Sequence, residues 1–114
     1  MTGTSQRPLA LVTGASSGIG WAYAERLASE GFDLVVVARR GERLEQLKEK
    51  LEDARGVSVE PLATDLSTEE GMQAVERRAI DQRLAMVVDN AAELARLNAL
   101  GPLRLIRAAL PGMV

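Results

Sequence analysis

The chain has no cysteine and no histidine among its 114 residues. That removes disulfides, thiol nucleophiles, imidazole general bases and the common zinc ligand sets, so any chemistry must use hydroxyls, carboxylates, amines or a bound cofactor. Long apolar runs are lacking as well. The most hydrophobic stretches, Leu34–Ala38 and Leu84–Val88, are strand-sized and far short of a membrane span. Residues Met1–Pro8 contain no apolar segment of the secretory type, which predicts a cytoplasmic location. No strong field of either sign is present: the formal charge is −2 and the arginines are interleaved with glutamates, so nothing would gather nucleic acid. Tyr23 is the only tyrosine.

What remains has globular composition, with 46% hydrophobic and 26% charged residues, and its length predicts one domain over residues 1–114. Leu9–Val12 is apolar without alternation, as in a parallel strand covered on both faces. Ile19, Tyr23 and Leu27 follow at helical spacing, with Gly31 as the stop. Asp33–Ala38 is a continuous β-branched strand, and Glu42–Ala54 sets Leu44, Leu47 and Leu51 on one helical stripe ended by Gly56. Val57–Ala63 predicts a third strand, placed at an edge by Pro61. Ser67 and Glu70 fit a capping box for a helix running to Arg83. Leu84–Val88 predicts a fourth strand, and Leu94, Leu97, Leu100, Leu103 and Ile106 predict a helix over Glu93–Leu110. Four alternations of strand and helix predict a three-layer α/β fold with a four-stranded parallel sheet in the order 3-2-1-4. Ligands of such sheets bind at the carboxyl ends of the strands, beside the break in strand order.

The turn from the first strand into the first helix reads Thr13-Gly14-Ala15-Ser16-Ser17-Gly18-Ile19-Gly20. Glycine reaches positive φ and holds no side chain between the main chain and a pyrophosphate, while the following helix start supplies free amides and a positive dipole end. The spacing G-x-x-x-G-x-G is not a Walker loop, since no Gly-Lys-Ser/Thr follows. Alone it also fits a purely structural turn.

Further segments narrow the reading: Ala38-Arg39-Arg40, Asp65-Leu66, Asp89-Asn90-Ala91-Ala92, Asn98, and the closing Leu103–Met113. Together with Thr13–Gly20, and in this order, they resemble the short-chain dehydrogenase/reductase family over nearly the whole chain. The resemblance implies a Rossmann-like fold, incomplete relative to the family, and a dinucleotide coenzyme. It implies that the phosphates lie around Gly14, Ser16, Ser17, Gly18, Ile19 and Gly20, the adenine at Asp65 and Leu66, and the ribose at Asn90 and Ala91. Read alone, Asp65 is better explained as a cap or turn carboxylate at a strand end.

Charge selects the coenzyme. An acidic residue ending the second strand would bond the ribose diol of NAD, whereas Ala38 stands here, followed by Arg39 and Arg40. A guanidinium on a 2′-phosphate favours NADP(H) over NAD(H), with Arg39 the preferred contact. The alternative leaves both arginines as solvated surface at a helix start. Ala38 also argues against a methyltransferase, which would want an acid there.

The family reduces carbonyls or oxidises alcohols by hydride transfer, using a serine, a Tyr-x-x-x-Lys pair and an asparagine. Of this set only Asn98 has a match, and Pro102 four residues on leaves its carbonyl free of a helical partner, for a water or a structural kink. Tyr23 has Leu27, not lysine, at the fourth place. Asp89 replaces an asparagine, Ala92 replaces a glycine, and only residues 91–97 separate Asn90 from Asn98. Activity of this chain alone is therefore not expected, and a non-catalytic nucleotide-binding or interaction module, or a truncated inactive product, stays open beside the oxidoreductase reading. An open edge on the fourth strand and an uncovered apolar stripe predict self-association through the last strand and helix.

Overall fold

The computed structural model describes residues 7–89 and, as a strand, residues 104–107. Its elements run β1 (Leu9–Thr13), α1 (Gly18–Ser29), β2 (Asp33–Ala38), α2 (Gly41–Arg55), β3 (Val59–Ala63), α3 (Glu69–Ala79), β4 (Leu84–Asp89) and β5 (Arg104–Arg107). All strand pairs are parallel, and the sheet order is β3-β2-β1-β4-β5. The order 3-2-1-4 of the first four strands is that expected from the sequence, with β3 and its Pro61 at an edge.

Parity along the strands divides the core into two layers. Ala10, Val12, Leu34, Val36, Met86 and Val88 pack on one face with Ala24, Leu27 and Ala28 of α1 and Leu44, Leu47 and Leu51 of α2. Leu9, Leu11, Val35, Val37 and Val87 face the other way, onto Met72, Val75 and Ala79 of α3. All of β1 and β2 is buried, which explains why those segments carry no polar alternation. On α1 the buried stripe is Gly20, Ala24, Leu27 and Ala28, while Ile19 and Tyr23 are half-buried on its shoulder.

Three expectations are corrected. The helix expected over Glu93–Leu110 does not hold at Arg104–Arg107, which form β5 in register with Met86–Asp89. An open β4 edge would leave a row of main-chain donors and acceptors unpaired beside a buried segment, so tertiary pairing outweighs the helical spacing. The edge of β4 expected to be open is therefore paired along Met86–Asp89. Second, α3 is capped by Thr68, not Ser67: the Thr68 hydroxyl accepts from the Gly71 amide at 3.0 Å. Third, α3 stops at Ala79, before Arg83, because the Asp81 carboxylate accepts from the Arg83 amide at 2.8 Å and turns the chain into β4.

Among the described residues no helix is long and apolar enough to cross a membrane.

Candidate functional site

The carboxyl ends of β1, β2 and β3 meet at a cleft of about 410 Å³. Gly14 and Ser16 line it from the β1 end, Arg39 and Arg40 from β2, and Asp65, Leu66 and Ser67 from β3. Six residues assigned to coenzyme binding from the sequence are thus brought to one place.

The β1 side is built around Gly14, whose φ of 61° turns the chain off the strand. The Ala15 amide donates to the Val37 carbonyl at 3.0 Å, tying this turn to the end of β2. Ser17 is the N-cap of α1. Its amide and hydroxyl both donate to the Gly14 carbonyl, at 3.1 and 2.8 Å, and the hydroxyl accepts from the Gly20 amide at 3.3 Å. The remaining glycines have opposite duties. A Cβ on Gly20 would collide with the Gly14 carbonyl oxygen and stand 2.7 Å from its carbon, so Gly20 allows the helix to seat on the turn. A Cβ on Gly18 would meet nothing within 4 Å, so the space over Gly18 is open to a ligand.

Helix starts attract anions when nothing already neutralises them. α2 has Glu42 and α3 has Glu69 and Glu70 in the first turn, whereas α1 has no acidic residue there. The first-turn amides of Gly18 and Ile19 lack intrahelical acceptors by the geometry of a helix start. This end of α1 can therefore hold a negatively charged group.

Arg39 and Arg40 are exposed between the two flanking turns, and Arg40 caps α2 without a side-chain cap bond. Opposite α1, the Ser67 hydroxyl and amide donate to Asp65 Oδ1 at 2.7 and 2.9 Å. These bonds, with a smaller contribution from the Arg39 charge, hold the Asp65 carboxyl below its ordinary value. Asp65 is thus ionised and pre-oriented as an acceptor, and its bonds from Ser67 also make it a turn carboxylate at the end of β3.

Asp89 does not line this cleft. It is 1% exposed and accepts from the Thr13 hydroxyl at 3.3 Å, which directs its charge into the end of the sheet between β1 and β4. Asn90, Ala91 and Asn98 lie outside the described residues. Among the described residues no group of three acidic side chains could hold a metal ion.

The sequence alone assigns no part in this wall to Thr64 and Ser67, which line it, or to Thr68 and Gly71, which support it from behind. Gly71 was the available signal: glycine in a first helical turn costs roughly 1 kcal/mol against alanine, which hints at a close backbone approach. A Cβ there would collide with the Asp65 carbonyl oxygen and stand 2.6 Å from its carbon.

Comparison with known proteins agrees with this geometry. The family model for short chain dehydrogenase matches residues 8–114. The short-chain dehydrogenase anuI of Penicillium roqueforti is 36% identical over 89 residues, covering 75% of this chain and 35% of that protein. The structure of a short-chain dehydrogenase from Sphingobium yanoikuyae in complex with NADPH superposes with a TM-score of 0.71 at 49% identity, over 74% of this chain and 33% of that one. L-Sorbose reductase from Gluconobacter frateurii, complexed with NADPH and L-sorbose, gives 0.69 at 39% identity, over 75% and 34%. The chain spans about a third of the length of these three relatives. On the family match, the sheet order and the arrangement of the glycine turn, the chain belongs to the short-chain dehydrogenase family.

Proposed function

We propose that this chain binds NADP(H) in preference to NAD(H), as the coenzyme-holding part of an oxidoreductase that acts on carbonyl or alcohol groups. The observation that carries this reading is one cleft in which Gly14 and Ser16, from the turn that leads into the acid-free start of α1, face two exposed arginines. The diphosphate sits on the amides of Gly18 and Ile19, with the Ser16 and Ser17 hydroxyls beside it and no Cβ on Gly18 to hold it off. Arg39, with Arg40 next to it, takes the 2′-phosphate. Asp65 and Leu66 border the adenine, Asn90 and Ala91 the ribose, and Asn98 occupies the family's asparagine position. The coenzyme, when bound, supplies or accepts the hydride. The NADPH complexes of the Sphingobium yanoikuyae and Gluconobacter frateurii relatives support the choice of coenzyme.

A charge-assisted hydrogen bond to the extra phosphate contributes about 1.5–3 kcal/mol, a ten- to hundredfold preference. Calorimetric titration of the chain with NADPH and NADH measures it. NADPH is expected to bind tighter by about that factor, and Arg39→Ala to abolish the difference while leaving NADH binding unchanged. Equal affinities in the unsubstituted chain defeat the preference, and absence of binding defeats the coenzyme reading altogether.

A further inference from the structure

The same backbone device closes both walls of the cleft. At the end of β1 it runs Gly14-x-x-Ser17-x-x-Gly20, and at the end of β3 it runs Asp65-x-x-Thr68-x-x-Gly71. In each, the amide and hydroxyl of the fourth residue both donate to the carbonyl of the first: 3.1 and 2.8 Å for Ser17 to Gly14, 3.2 and 2.9 Å for Thr68 to Asp65. In each, that hydroxyl accepts from the amide of the seventh residue, at 3.3 Å from Gly20 and 3.0 Å from Gly71. In each, the seventh residue is a glycine because a Cβ would run into the carbonyl of the first. Each turn is then tied to the end of β2, through Ala15 to Val37 and Thr64 to Ala38.

The junction between them lacks the device. Arg40 caps α2 with no side-chain bond, and a Cβ on Gly41 would make only an ordinary contact of 3.6 Å with Ala63. The two fixed walls therefore flank the pair of exposed arginines, and the distance across the cleft is set by two carbonyls, those of Gly14 and Asp65. One of these belongs to the glycine turn. The other belongs to the turn after β3, and its lock consists of Thr68, the N-cap of α3, and Gly71 in the first turn of that helix, which stand behind the wall and are not among the residues lining the cleft.

We infer that Thr68 and Gly71 are positioning residues for coenzyme: they fix the Asp65–Ser67 wall at the distance from Arg39 and Gly14 that an adenosine moiety needs. The inference rests on the NADP(H) reading above. Loss of one hydrogen bond to the Asp65 carboxylate costs about 1.5–3 kcal/mol, ten- to hundredfold in affinity, and an alanine at position 71 forces the wall to shift, since helix and wall cannot both stay where they are.

The test uses the 114-residue chain with Gly71→Ala, Thr68→Val and Thr68→Ser, and with Gly31→Ala as a control. Gly31 has φ 92° in open space at the opposite end of the sheet, so its alanine strains the backbone without touching the cleft. Thermal unfolding and NADPH titration are read on each. Gly71→Ala and Thr68→Val are expected to raise the NADPH Kd by roughly ten- to hundredfold, Thr68→Ser to restore it, and Gly31→Ala to leave it unchanged at a comparable loss of Tm. If Gly71→Ala does not fold, Thr68→Val and its serine rescue decide alone. A Kd that follows Tm across all four variants, control included, overturns the inference. Should the unsubstituted chain bind no NADPH, the coenzyme reading fails by itself, and amide exchange decides the positioning role. Thr68→Val is then expected to speed exchange at Ser67 and Thr68 while Leu11 and Val12 keep their protection; unchanged exchange at Ser67 and Thr68 overturns it.

Discussion

At the scale of single residues, the glycine turn separates two requirements that sequence alone merges. Gly20 is needed for packing, whereas Gly18 leaves open space where the proposed ligand would sit, and alanine substitutions distinguish them. Gly20→Ala drives a methyl into the Gly14 carbonyl, so it should cost about 1–3 kcal/mol of stability by overpacking, read from urea midpoints. Gly18→Ala should keep or raise the midpoint, since alanine favours a helix by roughly 0.5–1 kcal/mol, and yet weaken NADPH binding in titration. The motif itself was legible because glycine is the only residue that satisfies both demands. Which glycine meets which demand was not, because it depends on where the Gly14 carbonyl points after a φ of 61°. Asp65 shows the same limit: its position after β3 was readable, whereas its two bonds from Ser67 follow from a helix that starts one residue later than the capping pattern suggested.

At the scale of elements, periodicity worked wherever local and tertiary demands coincide. α2 places Leu44, Leu47 and Leu51 on one buried stripe, as their spacing requires, and ends on Gly56 with φ 70°. Leu47→Ala should therefore cost about 2–5 kcal/mol, whereas Ile80→Ser, at a side chain 74% exposed beyond α3, should stay within about 0.5 kcal/mol. Chemical denaturation of both variants checks the contrast. β5 is where local and tertiary demands part. Leu103 and Ile106 lie at helical spacing, but the main chain of 104–107 pairs with Met86–Asp89. A strand that exists because a neighbouring edge needs it leaves no periodic mark of its own.

At the scale of the whole molecule, ion pairs tie the sheet together at the end away from the cleft. Arg78 bonds Glu60 of β3 at 2.8 Å and Asp81 at 3.1 Å, and Arg83 bonds Asp33 of β2 at 3.0 Å. Asp33 is 2% exposed and also accepts from the Ser58 amide at 2.8 Å. Arg83→Ala should cost about 1–3 kcal/mol, below the range for a fully buried pair because the arginine itself is partly solvated. None of these long-range pairs was visible in sequence, since charge spacing along a chain does not say which strands become neighbours.

This network, together with the separate Lys48–Glu52 pair, predicts a pH dependence. The Arg83 amide, then the Arg78 side chain, hold the Asp81 carboxyl below its ordinary 3.8; Lys48 and the Val59 amide do the same for Glu52 relative to 4.5. The folded chain thus binds fewer protons than the unfolded one in acid. This contribution is complete above those ordinary values and is lost as pH falls through the lowered ones. Urea midpoints should therefore drop between about pH 5 and pH 3, and Asp81→Asn should flatten part of that slope.

All three scales meet in the cleft, where a buried sheet, two locked turns and two arginines frame the proposed coenzyme site. The most direct test is a crystal structure of the chain grown with saturating NADPH. The account predicts the diphosphate on the Gly18 and Ile19 amides and the 2′-phosphate on the Arg39 guanidinium. A nucleotide bound elsewhere, or a cleft left empty at saturation, would contradict it.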